Sequence, residues 1–246
     1  MKILKLIAIF CILSADLFAQ TPKAIEADFD KAFEKISYWN EHSSEDTHGD
    51  GLFTANLQIE AKVKSYTQKC PAALDQAFKK IGLVSDDGLF RILSWDNMTG
   101  GTQHAYENII QYKSAGKTFT IVDTVKNDDD YIYAYNKLHT LKVGSEIYYL
   151  TTYYGIFHTY DMGAGIRVFA IQNGKLNDKA KLIKTRSGLT HKLYYTYHVG
   201  EELQNGLEYH PEQKIITFPV VIGDGKVTDN IITYKFNGQY FEKIKS

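Results

Sequence analysis

Disulfide bonds are the first thing this chain does without. It has 2 cysteines, Cys11 and Cys70. Cys11 falls within an N-terminal apolar stretch that reads as a removable leader, so Cys70 is left alone and no intramolecular disulfide is expected. Cys70 precedes Pro71 at a helix boundary without a catalytic signature around it, which suits a small packed hydrophobe rather than a nucleophile. Excess charge is also lacking. The formal net charge is −1, which gives no basic field for nucleic acid or an anionic membrane. After the leader no apolar run reaches the roughly 18 residues that a spanning helix needs, so no transmembrane anchor is expected once the leader is removed.

Several chemistries are missing as motifs. The eight histidines are scattered, no pair has the H-E-x-x-H spacing, and no Cys-x-x-Cys occurs, which argues against a dedicated zinc site. There is no G-x-S-x-G nucleophile elbow. Gly100-Gly101 is not followed by Lys-Ser/Thr or a helical pattern, so it is no phosphate loop. Asp46, His48, Asp50 and Gly51 imitate the start of a calcium loop, but its twelfth position is Leu57 where a bidentate Glu is required. Asp128-Asp129-Asp130 reads as a solvated loop tip. The expectation is no metal and no cofactor.

What is present begins with the leader. Lys2 and Lys5, the apolar run Ile3–Leu13 and the small Ala19 before Gln20 match the three regions of a secretory signal peptide. Cleavage near Ala19/Gln20 and a secreted or periplasmic location are therefore expected. Residues 21–82 then carry helical spacing. Thr21 and Pro22 open an amphipathic helix whose stripe is Ile25, Phe29, Phe33, Ile36 and Trp39. A second helix is predicted over Leu52–Gln68, and a third from Pro71 with Gly82 as its stop.

From Leu83 the pattern changes to short strands separated by turns such as Asn173-Gly174, Gly223-Asp224-Gly225 and Asn237-Gly238. No helical segment intervenes between strands, so the sheet is expected to be antiparallel. The predicted organisation is a signal peptide over 1–19, a helical segment over 20–82 and an antiparallel β domain over 83–246. The fold class is α+β, with a large β-meander closed as a barrel or arranged in propeller-like blades. The 18 tyrosines and 13 phenylalanines against 2 tryptophans suit half-buried strand faces and binding surfaces alike.

The densest polar cluster beside an aromatic lies between Asp86 and Glu107. From it Asp87, Arg91, Trp95, Asp96 and His104 are the candidate ligand-binding residues. Asp87 and Asp96 are also a candidate acid and base or nucleophile of a hydrolase. Against both stands a plainer alternative: Asp-Asp-Gly and Asp-Asn-Met-Thr-Gly-Gly are turn sequences whose side chains bond their own backbone. The stretch DGLFRILSWDNMTGGTQH, with the ending VTDNIITYKFNGQYFEKI, resembles a group of exported, functionally uncharacterised proteins of Bacteroidetes-type bacteria. That resemblance implies a cell-envelope setting and brings no catalytic residues. The expected role is non-catalytic binding of a glycan, peptide or envelope protein; the alternative is a secreted hydrolase.

Overall fold

The computed structural model describes residues 20–46, 49–123, 133–198 and 206–244. The predicted leader, His48 and the Asp128–Asp130 tip lie outside the described residues.

Three helices come first: α1 (Pro22–Glu41), α2 (Gly51–Lys69) and α3 (Pro71–Ile81). Thr21 caps α1 by accepting the Ala24 N–H at 3.2 Å, and Pro22 sits at the first helical position. Its innermost stripe is Ile25, Phe29, Ala32 and Ile36. The expected Phe33 and Trp39 flank this stripe and are only partly buried. The loop that imitates a calcium site has a plain structural use: the Asp46 carboxylate accepts the backbone N–H groups of Asp50 at 3.1 Å and Gly51 at 2.7 Å, which secures the start of α2. Gly82 ends α3 in an extended conformation (φ −155°) rather than a left-handed one. A Cβ there would stand 2.6 Å from the Ile92 carbonyl oxygen, so close packing is what demands glycine.

Fifteen strands follow among the described residues, in three open sheets. The first contains β1 (Leu83–Val84), β2 (Phe90–Asp96), β3 (Tyr106–Ser114) and β4 (Lys117–Val122), in chain order. The second has at its centre β5 (Ala134–Val143), β6 (Glu146–Ile156) and β7 (Asp161–Gln172), with the short β8 (Lys175–Asn177) paired to β7. The third begins with β9 (Ile183–Thr185) and β10 (Gly188–Thr190). Strand β11 (Lys192–His198) returns to the second sheet beside β7. The rest of the third sheet is β12 (Glu208–His210), β13 (Ile215–Ile222), β14 (Lys226–Phe236) and β15 (Phe241–Ile244), giving the order β10-β9-β15-β14-β13-β12.

Pairing is antiparallel throughout except where β15 meets β9 in parallel. The Asn237-Gly238 turn folds β15 back against β14, and β9 then borders its far edge. Among the described residues none of the three sheets closes on itself. The α+β class and the antiparallel meander therefore stand; of the two arrangements expected, barrel or propeller-like blades, no closed barrel is found among the described residues.

Side-chain alternation stacks these units as helices, first sheet, second sheet and third sheet. Along β2 and β3, Leu93, Trp95 and Ile109 point to the helices and join their core. Their neighbours Phe90, Ile92, Ile110 and Tyr112 point the other way, onto Tyr135, Tyr149, Tyr153 and Phe169 of the second sheet. Leu150, Ile166, Val168 and Ala170 leave the opposite face of that sheet and meet Ile183, Tyr209, Ile216, Tyr234 and Phe241 of the third. Each fully buried aliphatic or aromatic side chain in these interfaces contributes roughly 1.5–3 kcal/mol relative to exposure.

Candidate functional site

The five predicted residues distribute themselves along β2 and its two flanking turns, and they do not meet in one cleft. Asp87 sits in the turn before β2. Its Oδ1 accepts from Ser85 Oγ at 2.6 Å and the Leu89 N–H at 2.9 Å, and its Oδ2 accepts from the Tyr149 hydroxyl at 2.9 Å. Burial, then the bond and charge of Asp87, push the Tyr149 hydroxyl well above its ordinary value. Asp87 thus bolts a turn of the first sheet to the inner face of the second.

Arg91 and Trp95 point into the helix–sheet interface. The Arg91 guanidinium lies 4.6 Å from the Phe78 ring centre, donates from Nε to Gln111 Oε1 at 2.7 Å, and pairs with Asp75 on α3. Gln111 in turn donates to Thr67 at 2.6 Å and Thr120 at 2.8 Å. Asp75 is shared with Lys113, so a strip of polar contacts runs through an otherwise apolar layer. Trp95 donates its indole N–H to Asn56 Oδ1 at 2.8 Å, and Asn56 donates to the Leu52 and Asn97 carbonyls, both at 2.9 Å. These contacts satisfy the indole and fasten α2 to the far end of β2.

Asp96 and His104 do meet. Asp96 Oδ2 pairs with His104 Nδ1, while its Oδ1 accepts the Met98 N–H at 2.8 Å, holding Met98 at a positive φ of 60°. His104 donates its backbone N–H to the Ile156 carbonyl at 3.0 Å and stacks on Tyr106, which meets Tyr154 edge-on. A second pair, Asp161 with His198, joins β7 to β11 at their paired ends. Each pair fixes an imidazole orientation. Their contacts among the described residues include no serine, threonine or cysteine for the imidazole to activate.

Asp87 and Asp96 bracket β2, whose seven residues at about 3.3 Å each span about 20 Å. Carboxylates that cooperate across a glycosidic bond stand about 5–10 Å apart. Both aspartates also bond backbone N–H groups two residues on, which is what turn aspartates do. No cluster of three or more His, Cys, Asp or Glu side chains that would hold a metal occurs among the described residues.

A groove of about 780 Å³ opens at the Asp87 end. It lies where the start of α3 meets the turns β3–β4, β5–β6 and β7–β8. Close approach of two turns shapes it: at Gly174 (φ +78°) a Cβ would already stand 3.2 Å from Ser114 Oγ. Leu89, Ile147, Tyr149 and Ile171 supply its apolar and aromatic lining, the Asp75–Lys113 pair lines it from α3 and β3, and Glu146 lines it from β6. Tyr149 lines the groove and bonds Asp87, so one predicted residue stands behind it, and Arg91 braces Asp75 from within. The sequence reading missed Asp75, Lys113, Glu146 and Tyr149. Each is ordinary in its own helix or strand, and only the stacking of layers brings them together.

A second polar cluster, also missed, joins the first and second sheets at the end of β4. Arg167 Nη1 donates to the Tyr135 hydroxyl at 2.8 Å and pairs with Asp123 at 3.1 Å, while Nη2 pairs with Asp178 at 3.2 Å. Tyr135 also donates to Asp123 at 2.9 Å. Burial drives the Tyr135 hydroxyl far above its ordinary value, and burial with Arg167 and Lys192 nearby pushes His191 down to about 4. The signal was in the sequence: Arg167 interrupts the apolar strand run Ile166–Ile171, the mark of a charge carried into a core.

No protein-family model matches this chain, and no curated protein matches it at a significant level.

Proposed function

We propose that this is an exported, non-catalytic binding protein of the cell envelope that seats a polar chain, a glycan or short peptide, in the groove beside Tyr149. The groove itself carries the reading: its volume of about 780 Å³ and its apolar–aromatic lining with a few fixed polar groups fit a binding site. Its charges are already partnered. Asp75 is held by Arg91 and Lys113, and Glu146 accepts from Gln172 Nε2 at 3.3 Å. Groups so committed orient a ligand's hydroxyls and amides rather than exchange protons with it. Export is supported by the leader-like N-terminus, and the absence of a spanning helix among the described residues is compatible with it.

The test is a calorimetric screen of soluble envelope glycans and short peptides against the mature protein and two groove-filling variants, Ser145→Trp and Thr118→Arg. Both positions line the groove without being buried. A ligand that binds the parent and loses affinity at least 10-fold in both variants supports the proposal. Undiminished binding in the variants sinks the groove assignment. Turnover of a panel glycan that Asp96→Asn abolishes replaces the reading with a hydrolase.

A further inference from the structure

The basic hairpin at the edge of the third sheet has no use in the groove or in either interlayer network. Residues 181–190, which span β9 and β10, hold Lys181, Lys184 and Arg186 and no aspartate or glutamate. A chain whose formal net charge is −1 thus gathers a strong local excess of positive charge at one place.

The structure gives that excess a concave setting. Strands β9 and β10 form the sheet edge, and β15 runs beside β9. Between them opens a cavity of about 730 Å³ lined by Lys184, Arg186 and Lys243 together with Thr185, Ser187 and Tyr234. None of the three cations has an ion-pair partner among the described residues. Lys184 alone has a polar contact, a long one of 3.4 Å to the Tyr240 hydroxyl, and its ammonium lies 5.1 Å from that ring centre. The single carboxylate lining the cavity, Glu242, accepts from Asn237 Nδ2 at 3.0 Å. Glu242 stands opposite Lys184 in the register of β15 and β9, so the lining carries three cations against one carboxylate, and an anion seated beside Arg186 and Lys243 relieves the remaining repulsion.

The geometry points to a binding site for a phosphate or sulfate ester in this cavity, separate from the groove beside Tyr149. A tetrahedral oxyanion matches the donors. The guanidinium of Arg186 takes two oxygens in a fork and the two ammonium groups act as point charges, while the Thr185 hydroxyl, which donates to the Gly188 carbonyl at 3.0 Å and meets Ser187 Oγ at 3.0 Å, holds the turn that carries Arg186. Tyr234 and Ile244 leave room beside the oxyanion for the sugar or polyol that carries it.

The experiment compares the parent with the triple variant Lys184→Gln/Arg186→Gln/Lys243→Gln. A control triple, Lys117→Gln/Lys142→Gln/Lys226→Gln, has the same net charge, and its three positions are exposed and outside this cavity. Three probes are titrated by calorimetry and NMR: inorganic phosphate, a sulfated disaccharide with its unsulfated parent as blank, and vesicles of phosphatidylcholine doped with phosphatidylglycerol. The expected result is saturable binding of phosphate and of the sulfated sugar to the parent and the control triple, weakened at least 10-fold in the site triple. The unsulfated sugar leaves the resonances of Thr185–Ser187 unmoved. Equal loss in both triples, or no saturation by either soluble probe, overturns the site. Binding to the vesicles alone assigns the charge to a membrane surface and overturns it too. Thermal melts of both triples establish that the variants are folded.

Discussion

Arg167 offers the sharpest test of how the first and second sheets are held together. It makes two ion pairs that differ in burial. The side chains of Arg167 and Asp123 are 11% and 12% exposed, whereas that of Asp178 is 54% exposed. Burial decides which pair matters. Breaking a buried pair from one side strands a charge and costs about 3–5 kcal/mol, while an exposed pair is worth about 0–1 kcal/mol. Arg167→Met leaves Asp123 with the Tyr135 hydroxyl as its remaining partner in this network. It should therefore lower stability by about 3–5 kcal/mol, which is about 6–20 °C in Tm at about 2–4 °C per kcal/mol for a chain of this size. Asp178→Asn should stay within about 1 kcal/mol of the parent. Arg167→Met/Asp123→Asn should be more stable than Arg167→Met alone, because the second change removes the stranded charge. Urea unfolding at pH 7 followed by tryptophan fluorescence and circular dichroism measures all three. If Arg167→Met costs no more than Asp178→Asn, or the double variant falls further than the single one, the network does not join the sheets as argued.

Other expectations follow from single environments. His191 is held down to about 4 from an ordinary 6.5, so the unfolded chain takes up its proton at a higher pH than the folded one does. Stability should therefore fall as pH drops from about 6.5 to about 4, and His191→Gln should flatten that part of a Tm-against-pH curve. Gly165→Ala would drive a methyl group into the Tyr153 ring and to 2.6 Å from the Leu193 carbonyl oxygen; a loss of about 1–3 kcal/mol is expected from such overpacking, read by urea denaturation. Asn56→Leu removes the partner of the Trp95 indole N–H and should cost about 1–3 kcal/mol for the group left unsatisfied, with a change in tryptophan emission. Cys70, partly buried against the helical core, should react with a thiol reagent far faster after denaturation than before. An intact mass of the exported protein lacking residues 1–19 checks the leader.

The parts of this fold that were legible are those set by local chemistry. Thr21 and Pro22 mark the start of α1 because capping and a missing N–H act within one turn. Asn173-Gly174 marks a hairpin because both residues adopt positive φ, 50° and 78°, which few other pairs accept. Strands β1, β8 and β10, of two or three residues each, are too short for alternation to show, and only their partners define them. The division into three stacked sheets was not legible either. It depends on Phe90 meeting Tyr149 at 4.7 Å and His139 meeting Tyr209 at 5.2 Å, contacts between residues 59 and 70 positions apart that no periodicity records.

The same distinction explains the candidate site. Asp87 and Asp96 stood out because aspartate beside glycine or asparagine is conspicuous, yet that conspicuousness is itself turn chemistry. The Leu89 and Met98 N–H groups take up one oxygen of each. Residues that build the groove come instead from the start of α3, from β3 and from β6, and none is unusual where it stands. Lys113 is a polar residue near a strand end; it becomes part of a site only because Asp75 of α3 is brought beside it. A stack of layers makes concave surfaces at its ends, where the turns of successive sheets crowd together. In such an architecture the residues that face a ligand are those next to turns, and strand residues such as Arg91 brace them from within.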